Sequence, residues 1–194
     1  SQGDDITVLR KIRLGQLQAA SLSPVGLGSI DWSFNVVNVP FFFSSYDELN
    51  AVLDKLAPTL RQRMEAKGFV LLNWGHVGWL QIFTKGPVTN VADLKRVKLF
   101  TSAGDDRMTQ LYKSNGYQPR AMNMTDVLTG LTTGMIDGLP ASPSVALNFQ
   151  WFRQTPHMLE VGLAPLMGAT VVYKRVWDRI SAADRTKMLE AAAR

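Results

Sequence analysis

The chain has 194 residues, a formal net charge of +5 at pH 7, 46% hydrophobic residues and 19% charged residues. This composition is typical of a globular protein with one large domain or two small ones, and no stretch approaches the roughly 20 apolar residues of a membrane-spanning helix. Cysteine is absent, which excludes disulfide bonds, thiol nucleophiles and thiolate metal sites.

The amino-terminal half opens with a predicted helix and strand between Val8 and Ala20, separated by Gly15. A capping box formed by Ser45 and Glu48 then predicts the start of a long helix. The apolar face expected for this helix comprises Leu49, Val52, Leu53, Leu56, Leu60 and Met64.

Pro58 is expected to kink this long helix or to split it in two. Gly68 ends the helix, and the apolar run 69–72 predicts a buried strand. The glycine-spaced stretch 73–79 contains two tryptophans and is predicted to be a loop, after which a strand resumes at 80–83.

In the carboxyl-terminal half, predicted helices again alternate with short strands. This order favours an α/β fold in which most strands pair in parallel. The strands are expected at 97–101 and 169–173, and the helices begin after Asp105, Asp126, Pro143 and Ser181.

One pattern of apolar residues and glycine occurs twice, and it bears on how the domain is organised. The copies read Val8-Leu9-x-x-Ile12-x-x-Gly15-x-Leu17-x-Ala19 and Val127-Leu128-x-x-Leu131-x-x-Gly134-x-Ile136-x-Gly138. Each copy describes a helix, a glycine that ends it, and a short strand. A duplicated unit of this kind predicts two similar lobes, and the cleft between two lobes is a common place for a small molecule to bind.

Motifs for catalysis or for nucleic-acid binding are not evident. The sequence has no Gly-x-Ser-x-Gly motif, no Walker loop and no Gly-x-Gly-x-x-Gly motif. The pair Asp105-Asp106 fits a helix start, and the cluster Lys95-Arg96-x-Lys98 fits a solvated surface. The two histidines, His76 and His157, lie far apart, so no metal site and no cofactor is expected. Aromatic residues near strand ends favour a binding protein instead.

Four segments of the chain match a known family in order and spacing: Val8–Ala19, Val39–Phe43, Lys85–Lys98 and Asp126–Gly138. They resemble the periplasmic solute-binding proteins of TRAP (tripartite ATP-independent periplasmic) transporters. The resemblance implies a two-lobed, class II periplasmic-binding-protein-like α/β fold, with a hinge and an interlobe ligand cleft. It also implies a periplasmic protein without enzymatic activity, which binds a small organic acid, serves TRAP membrane permease subunits and binds no nucleic acid.

The same resemblance sets an expected division of the chain. Residues 1–84 are expected mainly in the amino-terminal lobe and residues 85–168 mainly in the second lobe. Residues 169–194 are expected to form a return segment and the start of the carboxyl-terminal helices, so the chain crosses between the lobes. Compared with the family, the chain is expected to lack both ends, which leaves the first lobe incomplete.

Two arginines that family members place against the substrate align here with Phe100 and Leu80. Loss of a guanidinium removes a bidentate partner for a carboxylate, and a phenyl ring adds apolar surface. The expected ligand is therefore a hydrophobic or aromatic monocarboxylate, held by backbone N–H groups, Ser142 or Gln81. The residues expected to line the site are Trp79, Leu80, Gln81, Phe100, Thr101, Met124, Ala141 and Ser142.

Two other classes of protein are compatible with the sequence. The first is the cytoplasmic effector-sensing domain of a LysR-type regulator, which has a similar two-lobed fold and would follow a helix-turn-helix segment. The second is an enzyme that uses the same cleft with His76 as a general base.

Overall fold

The computed structural model describes residues 2–192, which fold as two compact units. The first unit comprises the chain up to His76 together with the chain from Met167 onward, and the second comprises Val77–Leu166. The helices are α1 (Asp5–Arg13), α2 (Pro24–Ile30), α3 (Tyr46–Ala66), α4 (Asp106–Ser114), α5 (Val127–Thr133), α6 (Pro143–Asn148), α7 (Lys174–Trp177) and α8 (Ala182–Ala192). The strands are β1 (Ala19–Leu22), β2 (Phe69–Trp79), β3 (Gln81–Thr84), β4 (Lys98–Ser102), β5 (Gln118–Met122), β6 (Gly138–Ala141), β7 (His157–Leu159) and β8 (Pro165–Tyr173).

The first unit is built around a three-stranded sheet with strand order β1-β8-β2. Strand β1 runs antiparallel to β8, with Ala19 opposite Val172. Helices α1, α2 and α3 supply the apolar side chains that pack against this sheet, because each has one face of apolar residues at helical spacing. The centre of this core comprises Ile12, Leu27, Phe34, Met64 and Phe69.

The observed helix α3 has most of the features predicted for it, including its start and its buried apolar face. It begins after Ser45, whose hydroxyl accepts a hydrogen bond of 3.2 Å from the backbone N–H of Glu48. The Glu48 carboxylate accepts from the backbone N–H and hydroxyl of Ser44, and these bonds hold the pKa of Glu48 below its ordinary value. Pro58 lies inside one continuous helix, so the predicted split does not occur.

A buried carboxylate ties α3 to the segment that follows α2. Asp31 is 6% exposed, and its carboxylate accepts hydrogen bonds from Ser33 and from the guanidinium of Arg63. Burial alone would raise the pKa of Asp31, but the bonds from Ser33 and Arg63 outweigh it, so this pKa lies below its ordinary value. The charged form of Asp31 is therefore the one that the fold stabilises.

The second unit contains a five-stranded mixed sheet with strand order β5-β4-β6-β3-β7. Strand β4 runs parallel to β5 and β6, whereas β3 runs antiparallel to β6 and β7. The prediction of mostly parallel pairing is wrong for β3, and also for β1 with β8. Strand β3 follows β2 after a single residue but belongs to the other sheet, so its direction is set by its pairing with β6 and β7, which are distant in sequence.

The stretch 73–79, predicted as a loop, is instead the second half of strand β2. Its glycines suggested a loop, but only Gly78 departs from ordinary strand geometry, with a φ of +106° that disfavours other residues. The backbone here is fixed by a partner distant in sequence, because the hydroxyl of Ser144 donates a 2.6 Å hydrogen bond to the carbonyl of Val77.

Both copies of the sequence repeat form the predicted helix, glycine and strand. Gly15 follows α1 with a φ of +76°, and Gly134 follows α5 with a φ of +74°. Both values lie in the left-handed region, where glycine avoids the steric penalty of a Cβ atom. The first copy leads into β1 of the first unit and the second copy leads into β6 of the second unit.

Candidate functional site

All eight residues predicted to line the site belong to the second unit. The parallel strands β4, β5 and β6 end at one edge of its sheet, and the antiparallel strand β3 begins there, because Gln81 lies opposite Ala141. In open α/β sheets the carboxyl ends of the strands form the usual ligand-binding edge. We call this edge, defined by residues 79–81, 102–103, 122–124 and 141–142, the carboxyl edge.

Ser142 occupies a fully buried position at the carboxyl edge. It is 0% exposed and caps α6, accepting a hydrogen bond of 3.4 Å from the backbone N–H of Val145. Its hydroxyl also lies 3.1 Å from that of Ser144. A Cβ atom at Gly78 would approach the Cβ atom of Ser142 to 3.3 Å, so β2 and α6 pack closely here. The contacts of Ser142 that the structure describes are therefore all with other residues of the chain.

Gln81 has a structural role that its sequence context does not reveal. The residue is 9% exposed, and its side-chain oxygen accepts hydrogen bonds of 2.7 Å and 2.9 Å from the backbone N–H groups of Val161 and Gly162. The loop before β8 is held to β3 through this oxygen. Gln81 thus anchors the backbone beside the carboxyl edge.

Replacing Gln81 by leucine should lower the free energy of unfolding by about 1–3 kcal/mol, because two backbone donors lose their acceptor. The measurement is urea unfolding followed by tryptophan fluorescence. Gln81→Glu is the matched control, since a carboxylate keeps an oxygen acceptor at the same position. Equal stability of Gln81→Leu and the unmodified protein would contradict the anchoring role.

Phe100 and Thr101 point to opposite faces of β4. Phe100 is 5% exposed and packs in the main apolar cluster of the second unit, with Leu131, Leu139 and Ala141. The hydroxyl of Thr101 accepts a 2.9 Å hydrogen bond from Thr109 of α4. The structure therefore packs Phe100 with Ala141, which lies opposite Gln81 and directly before Ser142, and it places the side chain of Thr101 on the far side of the sheet.

The remaining predicted residues supply apolar surface at the carboxyl edge. Trp79 and Leu80 are half-buried, and the backbone of Leu80 exchanges hydrogen bonds of 2.8 Å with Leu163 and Ala164. Met124 follows β5 and is 46% exposed. Ligand contact by these residues stays a prediction, and what the structure adds is their placement along one edge.

Sequence patterns did not single out Arg120, which lies on β5 directly opposite Phe100 of β4. The strand itself was not predicted, because Pro119 interrupts its apolar pattern and proline is normally confined to edge strands. Strand β5 is an edge strand. The sequence feature that could have indicated this strand is a short segment bounded by two turn-forming residues, Gly116 and Asn123.

A concavity of about 230 Å³ lies at the opposite edge of the same sheet. Its wall includes Asp137, whose carboxylate lies 3.9 Å from the ammonium of Lys85 and 3.5 Å from that of Lys98. Across it, Asp93 accepts hydrogen bonds from Thr89, which lower the pKa of Asp93. This concavity is far from the predicted site in the sheet, and within residues 2–192 no group of acidic or histidine side chains is arranged to hold a metal ion.

The chain folds into two mixed α/β units, and each unit contains one copy of the helix–glycine–strand repeat. This arrangement is typical of two-lobed binding proteins. The chain belongs to the bacterial extracellular solute-binding proteins, family 7 (DctP), which it matches over residues 1–194. The resemblance drawn from four segments of the sequence is thereby confirmed, and so is the predicted fold class. Among the described residues, no helix is both long enough and apolar enough to cross a bilayer.

Two named relatives illustrate the family. The C4-dicarboxylate-binding periplasmic protein DctP of Rhodobacter capsulatus is 28% identical over 189 residues, which cover 95% of this chain and 56% of that protein. The 2,3-diketo-L-gulonate-binding periplasmic protein YiaO of Escherichia coli is 30% identical over 141 residues, which cover 72% of this chain and 40% of that protein. The chain thus spans about half the length of the curated relatives that it matches.

Solved structures show the same fold. A TRAP periplasmic solute-binding protein of Xanthobacter autotrophicus Py2, with bound β-D-galacturonate, superimposes with a TM-score of 0.92 at 22% identity, over 100% of this chain and 65% of that one. DctP7 of Bordetella pertussis, an extracytoplasmic solute receptor binding pyroglutamic acid, superimposes with a TM-score of 0.85 at 27% identity. The match covers 96% of this chain and 61% of that one.

Proposed function

We propose that this protein is the extracytoplasmic solute-binding receptor of a TRAP-type transporter. It would capture a small organic acid in the periplasm and deliver it to the membrane permease subunits, without chemical change. The observation that carries this proposal is the family match over the whole chain. The names of relatives such as DctP of R. capsulatus and YiaO of E. coli support an acidic ligand.

For the ligand, we propose a hydrophobic or aromatic monocarboxylate. Phe100 and Leu80 stand where the family resemblance expects arginine, so the two guanidinium groups that suit a strongly charged acid are replaced by apolar side chains. Trp79 and Met124 add apolar surface along the carboxyl edge. Pyroglutamic acid, which the B. pertussis receptor DctP7 binds, is itself a cyclic monocarboxylate.

A thermal-shift screen tests both parts of this proposal. The panel contains phenylacetate and pyroglutamate as monocarboxylates, and succinate and galacturonate as more polar acids. A ligand present at 100 times its Kd should stabilise the protein by about 2.7 kcal/mol. We expect a response to phenylacetate, with phenylacetamide as the neutral control. A response restricted to succinate would contradict the ligand class, and no response to any acid would contradict the receptor function.

The two alternatives are separated from this proposal by further measurements. The ring of His76 lies against that of Tyr46, with centroids 4.5 Å apart, and the receptor proposal gives it no chemical role. The bound acid should be recovered unchanged after prolonged incubation, and His76→Ala should bind it normally. A sequence upstream that encodes a helix-turn-helix segment instead of an export signal would favour the regulator.

A further inference from the structure

Binding of a carboxylate is strongest when a cationic side chain pairs with it. Several described cations of the second unit already have partners. Lys85 and Lys98 pair with Asp137, and Arg96 pairs with Asp93. The Lys95 ammonium lies 5.8 Å from the centre of the Tyr117 ring. None of these groups lies on the carboxyl edge.

Arg120 differs from these cations in its position and in its contacts. It lies in register with Phe100 on the parallel strand β5, so the two side chains extend from the same face of the sheet. The residue is exposed. Its guanidinium donates a long hydrogen bond of 3.3 Å to the carbonyl of Pro119, and within residues 2–192 no carboxylate lies at salt-bridge distance from it.

The carboxyl edge is within reach of Arg120. Arg120 lies two positions before Met122, the last residue of β5. Two residues of a strand span about 6.6 Å, and an extended arginine side chain can cover this distance. Met122 packs against the apolar cluster that contains Phe100, so the path from Arg120 to the edge runs over apolar surface.

We propose that Arg120 is the specificity-determining cation that pairs with the carboxylate of the ligand. This inference rests on the proposed function and deepens it, because it places a guanidinium one strand away from the position that Phe100 occupies. The guanidinium of Arg120 would exchange its weak bond to Pro119 for two parallel bonds to the carboxylate at the carboxyl edge. The other interpretation is that a charged residue on an edge strand merely prevents pairing with another chain.

The test measures, by isothermal titration calorimetry, the affinity for the acid that gives the largest shift in the thermal-shift panel and for the amide of that acid. The proteins compared are the unmodified chain, Arg120→Gln, Arg120→Lys and Arg153→Gln. Arg153 is an exposed arginine of the same unit, on the segment Trp151–Arg153, so its removal changes the net charge equally. Urea unfolding of each variant checks that the fold is kept.

We expect Arg120→Gln to weaken binding of the acid by about 10-fold to 100-fold and to leave binding of the amide unchanged. Arg120→Lys should retain part of the affinity, because it keeps the charge but loses the fork. Arg153→Gln should bind as the unmodified chain does. If Arg120→Gln binds the acid within about twofold of the unmodified chain, a difference too small for a lost ion pair, the role of Arg120 is overturned while the receptor function stands. If the unmodified chain binds no acid, the receptor function fails first, and the inference fails with it.

Discussion

Replacing Leu131 by alanine should lower the free energy of unfolding by about 3 kcal/mol. Leu131 is 0% exposed on α5 and belongs to the apolar cluster beneath the carboxyl edge, together with Phe100 and Leu139. Truncation of a buried leucine removes transfer free energy and leaves a cavity in a closely packed interior, which typically costs about 2–5 kcal/mol. Urea unfolding followed by tryptophan fluorescence measures the loss, since Trp151 lies in the same cluster.

Leu128 is the matched control, because it lies on the same helix and is 47% exposed. Leu128→Ala removes the same atoms from a surface that already contacts water, so it should change stability by less than about 1 kcal/mol. Equal losses for the two variants would show that the side chain of Leu131 is not buried as the structure has it. Because Phe100 shares the cluster, Leu131→Ala should also loosen the apolar surface that the ligand is proposed to meet.

Replacing Gly138 by alanine should lower the free energy of unfolding by about 3 kcal/mol and weaken binding of the acid. Gly138 begins β6, opposite Thr84 of β3 and Leu99 of β4. A Cβ atom there would lie 2.8 Å from the carbonyl oxygen of Phe83 and 2.9 Å from side-chain atoms of Thr84 and Val97. Overpacking of this kind typically costs about 1–3 kcal/mol, and the upper end is expected because a backbone atom cannot move aside as a flexible side chain can.

The effect of Gly138→Ala should extend to the site because β6 carries Ala141 and leads directly into Ser142. The measurements are urea unfolding and calorimetric titration of the acid identified in the thermal-shift panel. Gly86→Ala is the matched control, since no atom lies within 4 Å of a Cβ atom at that position and its φ is not in the left-handed region. Gly86→Ala should change stability by no more than about 0.5 kcal/mol. A destabilisation by Gly86→Ala as large as that of Gly138→Ala would refute the steric explanation.

Local signals predicted the helices well because they act over three or four residues. The hydroxyl of Ser45 accepts from Glu48, and that of Ser181 accepts from Asp184 at the start of α8, as their spacing indicated. Asp105 caps α4 in the same way. Of the two effects expected at Pro58, a kink or a split, the split does not occur, because the packing of α3 through Leu60 and Met64 keeps the helix in one piece beyond the proline.

The site was less predictable, because burial depends on partners that are distant in sequence. Gln81 looked available for a ligand, yet its oxygen accepts hydrogen bonds from backbone groups 80 and 81 residues away. The sequence predicts that Phe100 lines the site, but it does not reveal that the ring packs mainly inside the apolar cluster. Arg120 was overlooked because its significance comes from strand register, which no local pattern specifies.

Local residue patterns are enough to establish the two helix–glycine–strand copies and the family. Gly15 and Gly134 adopt left-handed conformations that glycine tolerates best, and this requirement is visible in a short stretch of sequence. The direction of β3, the strand conformation of residues 73–79 and the neighbours of Phe100 emerge only when the chain is folded. These features depend on hydrogen bonds and packing between segments that are far apart in the chain. A short stretch of sequence does not specify which distant segments will interact.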